Sequence, residues 1–177
     1  MSMSLAVHPD CLHPFELGSA GGTLVIVDMQ AEFLAVCKAA FLTHVLAQIA
    51  LARRRGWSIV LVEVKPWRIG ESIPEIQEAL RGARFKRVSK QQTSGSREVL
   101  DCCFEEGFNS EFFRVVGVYT DACVAATAEG LVVENEHCQV RVMKEACASD
   151  LDEVEAWAEF PVHERLVVSS VEVDGRQ

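Results

Sequence analysis

The sequence predicts an α/β fold, a three-layer sandwich around a mostly parallel, doubly wound sheet of about six strands. Two observations carry this. The strongest apolar runs are continuous rather than alternating, as strands covered on both faces require, and stretches with helical spacing lie between them along the whole chain. Strand following helix following strand implies right-handed crossovers between parallel neighbours.

Four runs read as buried strands: residues 23–28 (TLVIVD), 58–64 (SIVLVEV), 112–118 (FFRVVGV) and 140–143 (VRVM). Residues 85–89 and 165–169 (RLVVS) are weaker candidates. Residues 32–55 place Leu34, Cys37, Phe41, Val45 and Ile49 on one arc and stop at Gly56, a residue suited to ending a helix. A second helix is expected over 96–107, opened by Ser96 as N-cap and closed by Gly107. Residues 121–135 form a third and 149–160 a fourth, with Ser149 as N-cap and Pro161 as limit. The stretch 65–82, broken by Pro66, Gly70, Pro74 and Gly82, is the least regular and is expected near a cleft.

The 177 residues suit one domain, 1–177, with 1–20 as an N-terminal extension. A chain of this size buries roughly 70% of its unfolded surface. With 49% hydrophobic and 24% charged residues, no disulfide or metal is needed to build a core. A formal charge of −9 argues against nucleic acid, and the basic runs Arg53-Arg54-Arg55 and 81–90 read as solvated faces. The first residues lack a basic leader segment, and no window approaches the ~20 apolar residues of a membrane span. A soluble, cytoplasmic protein is expected. Seven cysteines, odd in number and without a C-x-x-C pair, speak against zinc or thioredoxin-type chemistry and for free thiols.

In open α/β sheets, ligands sit beyond the carboxyl ends of the strands. Asp28 closes the first run, where a carboxylate after four apolar residues must reach an exit or a partner; a helix N-cap is the plain alternative. Cys123 follows the 112–118 run within the first turn of a predicted helix, a position that lowers a thiol pKa. A packed core cysteine is the alternative. Lys90 ends the FKRVSK segment, where its ammonium could pair with Asp28, and Lys86 competes for that role.

VIVDMQ, a lysine closing a short strand, and GVYTDACVAATA, in that order, resemble the isochorismatase-like cysteine hydrolases, which include nicotinamidases and N-carbamoylsarcosine amidase. The Thr-Asp-x-Cys-Val element with its following Thr-Ala is the specific part, and KEACASD resembles the family's fifth-strand segment with Glu145 in the place of an Asp. The resemblance spans about 24–170. It implies Cys123 as nucleophile, Asp28 as general base and Lys90 as charge partner in hydrolysis of a C–N bond through a thioester. It further implies a cis peptide between Val118 and Tyr119, with the amides of Tyr119 and Cys123 as oxyanion hole. A homo-oligomer, dimer or tetramer, acting on a small molecule is implied on the same ground.

The chain departs from nicotinamidases after its second strand. VEVKPWRIG contains no histidine, and none stands between His44 and His137, so no metal and no cofactor is expected. Ser96 stands where the family often carries an aromatic residue, six positions past the lysine, which implies an altered pocket. Trp67 and Tyr119 are candidates to line it, with Trp67 equally readable as a loop anchor. Competing readings are a non-catalytic scaffold or binding module and a thiol redox protein using Cys102-Cys103. A cysteine phosphatase is disfavoured, because no arginine stands five residues beyond Cys123.

Overall fold

The computed structural model describes residues 21–170. Six strands form one sheet: β1 (Thr23–Val27), β2 (Ser58–Val64), β3 (Phe85–Lys90), β4 (Phe112–Val118), β5 (Gln139–Ala148) and β6 (Leu166–Ser169). Their order is β3-β2-β1-β4-β5-β6, and every neighbouring pair is parallel. The chain winds outward in one direction from β1 and then in the other from β4. The switch point therefore falls between β1 and β4, where open α/β sheets form their ligand crevice.

The strands alternate between two cores. Leu24, Ile26, Ile59 and Leu61 pack on one face with Phe41, Val45 and Ile49 of α1 (Ala39–Arg54) and with Ile76 and Leu80 of α3 (Pro74–Leu80). Val25, Val27, Val60 and Val62 pack on the other with Val99 of α4 (Ser96–Glu106) and with Ala128 and Leu131 of α5 (Ala125–Glu134). Each fully buried aliphatic side chain contributes about 1.5–3 kcal/mol relative to exposure. Together they explain why continuous apolar runs, not alternating ones, marked the strands.

Several elements differ from the sequence expectation. The helix expected over 32–55 is broken: a 3-10 turn (Leu34–Cys37) precedes α1, and Lys38 between them is extended. The apolar arc does not reach its first members, because Leu34 is 74% exposed and Cys37 is exposed. The irregular stretch contains two short helices, α2 (Pro66–Ile69) and α3, each with a proline in its first turn. Gly95, not Ser96, is the N-cap of α4, while Gly107 ends it in the left-handed conformation as expected. The fourth helix is shorter, α6 (Glu153–Ala158), and its cap is Asp152, whose carboxylate accepts from the Glu155 amide. Ser149 instead binds the Asp121 carboxylate and accepts from the Leu151 amide.

The pairing of β4 with β5 is irregular between Val115 and Gly117, whereas Gly117 faces Val27 of β1 in unbroken register. Gly117 has φ +128, and a Cβ there would lie 2.1 Å from the Val27 carbonyl oxygen. Only glycine fits both demands.

Candidate active site

The carboxyl ends of β1, β3 and β4 each deliver one ionisable side chain to the switch point. Asp28, one residue past β1, has φ 52, a left-handed conformation that Asp tolerates better than most residues. Its amide donates to the Val62 carbonyl at 2.9 Å, and its own carbonyl accepts from Gln30. These bonds turn the chain so that the carboxylate is buried rather than capping a helix, with 1% of the side chain exposed.

Lys90 ends β3, two strands away, at about 9–10 Å by the usual strand spacing. Its extended stem crosses that gap. The ammonium stands 2.9 Å from Asp28 Oδ2 and donates to the Thr93 carbonyl oxygen at 2.5 Å, and the side chain is fully buried. Lys86, the competing lysine, lies on the surface and pairs with Glu106 at 2.8 Å. Burial chooses between them: only the lysine at the strand's end reaches the crevice.

Cys123 lies in a π-helical turn (Thr120–Val124) that joins β4 to α5. Its thiol interacts with both the Asp28 carboxyl and the Lys90 ammonium. Three groups distant in sequence are therefore neighbours at the switch point. Burial pushes the Cys123 thiol up to about 11, with the nearby Asp28 charge adding to the rise and Lys90 opposing it. The direction is opposite to that expected from a helix N-terminus: Cys123 lies in a π-helical turn, and burial beside a carboxylate raises the thiol. Burial likewise raises the Asp28 carboxyl above its ordinary range, against the lowering effects of Lys90 and the thiol. Both groups are thus shifted toward their protonated forms, the thiol by burial and the Asp28 charge, the carboxyl by burial against the pull of Lys90.

The Val118–Tyr119 peptide is cis. Tyr119 follows it at the rim, packed edge-on against Phe33 with ring centroids 5.4 Å apart. Its phenol is pushed up to about 12 by burial and by Asp150, so it stays neutral. Trp67 sits on α2 directly after β2 and is 68% exposed. Ser96 is buried away from the crevice and donates to Glu134 Oε1 at 2.6 Å.

Two further polar residues stand near the site: Gln30, which was not singled out from the sequence, and Thr127, which appeared there only as part of the motif and without a role. Gln30 is fully buried; its side-chain amide donates to the Val64 and Gly70 carbonyls, and its oxygen accepts from the Val64 amide at 2.9 Å. It pins the loop after β2 beside Asp28, and a polar residue two positions past the strand-end carboxylate was its available signal. Thr127, also fully buried, accepts from the Gly95 amide at 3.0 Å.

A cavity of about 280 Å³ lies behind the Cys123 turn, lined by Lys38, Phe41, Thr120, Cys147, Ser149 and Trp157 among others. Neither Trp67 nor any of the three ionisable residues contributes to it. Cys102 and Cys103 are buried as free thiols in α4, and adjacent helical residues do not face one another. Among the described residues, no group of three or more His, Cys, Asp or Glu side chains is placed to hold a metal. Of the histidines, His8 and His13 lie outside the described residues. No helix among the described residues is long and apolar enough to cross a membrane.

No family model and no curated protein matches this sequence. Solved structures do. The MAR1 ribonuclease from Caenorhabditis elegans superposes with a TM-score of 0.68 at 19% identity, over 80% of this chain and 72% of that one. An isochorismatase-like hydrolase from Alkaliphilus metalliredigens gives 0.66 at 16% identity, over 84% and 86%. The N-carbamoylsarcosine amidase from Thermoplasma acidophilum gives 0.63 at 21% identity, over 88% and 99%. At such identities the likeness concerns the fold, which hosts more than one activity among these proteins. This chain has the fold of the isochorismatase-like hydrolases.

Proposed function

We propose that the chain is a cysteine-dependent hydrolase of small amides or related C–N bonds, with Cys123, Asp28 and Lys90 as its catalytic set. The observation that carries this is the burial of a carboxylate, an ammonium and a thiol together at the sheet's switch point, with 2.9 Å between the first two. Burying charge is costly, and a buried ion pair electrostatically coupled to a neighbouring thiol is poorly explained by packing alone. The amidase among the structural neighbours supports the same bond class.

In this reading the Asp28 carboxylate takes the Cys123 proton as sulfur attacks the substrate carbonyl carbon. The carbonyl π electrons move to oxygen, and the amides of Tyr119 and Cys123 receive the resulting oxyanion. The tetrahedral adduct collapses, the C–N bond breaks, and Asp28 returns the proton to the leaving nitrogen. Water then attacks the thioester, giving its proton to Asp28, and the acid departs as the thiol reforms. Lys90 keeps Asp28 ionised in a dry pocket and favours the thiolate as it forms. Tyr119 and the exposed Trp67 are proposed to contact the substrate at the rim. Metal and cofactor are not required by any step. A homo-oligomer in the cytoplasm completes the proposal, supported by six free thiols among the described residues and by exposed Leu34, Phe104 and Val162.

The test is turnover screening against primary amides, ureido acids and nicotinamide, with Cys123→Ala beside the native chain. Turnover that disappears in Cys123→Ala, together with an acyl adduct on Cys123 by mass spectrometry, is the expected result. Turnover retained in Cys123→Ala removes the nucleophile assignment. An inert native chain across all three classes leaves the scaffold or binding reading instead.

A further inference from the structure

We propose that Thr127 is a positioning residue for the Lys90 ammonium, tying the helix that follows the nucleophile to the loop that seats the lysine. The inference rests on the catalytic set proposed above and adds a member to its machinery. Lys90 is held at two points by residues 91–95. Its ammonium donates to the Thr93 carbonyl oxygen, and its stem runs against Gly95, where an added Cβ would stand 3.3 Å from Lys90 Cδ and 2.8 Å from Val62 Cγ1. Thr93 itself is exposed, so that carbonyl is fixed only as well as the loop is.

The loop's buried attachment to the rest of the site is the Gly95 amide, which donates to Thr127 Oγ1 at 3.0 Å. Thr127 is fully buried on α5, four residues past Cys123 and so one helical turn along from it. The lysine seat is thereby tied to the helix that continues directly from the Cys123 turn. A valine at 127 keeps the shape and removes the acceptor, leaving the Gly95 amide buried without its partner. The loop then loosens, and Lys90 is held less firmly beside Asp28 and Cys123.

The test reads Cys123 without any substrate. Iodoacetamide alkylation of Cys123 is followed by peptide mass spectrometry as a function of pH, and Gly95 amide exchange by hydrogen–deuterium exchange. Thr127→Val is expected to slow Cys123 alkylation about three- to tenfold at a fixed pH below the thiol pKa, because rate follows thiolate fraction and a one-unit rise removes about nine tenths of it. Gly95 exchange is expected to accelerate, and Thr127→Ser to restore both readouts. Val132→Ala, a core truncation on the same helix, is expected to lower stability and leave the Cys123 profile in place. An unchanged profile in Thr127→Val overturns the proposal, as does an equal shift in Val132→Ala. If Thr127→Val does not fold, Thr127→Ala removes the same acceptor and carries the same outcomes. Absence of turnover in the native chain would defeat the proposed function while leaving this measurement readable.

Discussion

Replacing Lys90 by Met removes the cation that stands 2.9 Å from the Asp28 carboxylate, whose side chain is 1% exposed. Two unit charges at that separation attract by about 6 kcal/mol at an effective dielectric near 20. Removing one partner of a buried pair typically costs about 3–5 kcal/mol, because the other charge is left uncompensated. The cost should depend on pH with a definite sign. In Lys90→Met the Asp28 carboxyl binds its proton more tightly in the folded chain than in the unfolded one, where the value is about 3.9. The penalty is therefore small below that value, grows as pH rises from it toward the raised folded value, and is constant above. Urea unfolding followed by tryptophan fluorescence should show Lys90→Met losing about 3–5 kcal/mol near pH 8 and clearly less near pH 5. The double variant Asp28→Asn/Lys90→Met should recover most of the loss, since it leaves no uncompensated charge at positions 28 and 90. A loss below about 1 kcal/mol, the level of an exposed pair, or one independent of pH, would refute the buried-pair reasoning.

Three further expectations follow from the same geometry. If turnover is found, kcat/KM should fall on acidification at a pH above the ordinary carboxylate range, because Asp28 is raised and must be ionised to accept the thiol proton. It should not climb between about pH 7 and about pH 10, as it would if the thiol had to lose its proton to solvent before attack, because Asp28 takes that proton during the attack itself. Iodoacetamide at neutral pH should label exposed Cys37 before Cys123, by peptide mapping; Cys123 reacting first would mean a preformed thiolate. Gly117→Ala should abolish soluble folded protein or cost more than about 4 kcal/mol in urea unfolding, because its Cβ would overlap the Val27 carbonyl oxygen; near-native stability would mean the β1–β4 approach is wrongly described.

Local chemistry made much of the molecule readable in the sequence. Strands β2 and β4 lie where continuous β-branched runs stood, because burial on both faces leaves no room for alternation. Asp28 and Cys123 could be picked out for a similar reason: a polar residue ending an apolar run, and a cysteine in a strand–turn–helix setting, are visible in a few neighbouring residues. The order of the motifs was equally visible and pointed to the fold that the solved structures share.

What neighbours in sequence could not decide was everything set by distant groups. Lys90 and Lys86 differ little as letters in FKRVSK, and the choice depends on which one passes Val62 and Gly95 to reach a carboxylate 62 residues earlier in the chain. The break at Lys38 and the transfer of the α6 cap from Ser149 to Asp152 follow from contacts such as the Ser149–Asp121 bond, which no periodicity encodes. The proton on Cys123 is the sharpest case. A helix-start rule, applied locally, lowers the thiol; burial and the Asp28 charge, which exist only once the sheet closes, raise it. Desolvation and charge–charge attraction depend on what surrounds a group in space, so tertiary structure alone sets the direction in which each titrating side chain of this crevice is shifted.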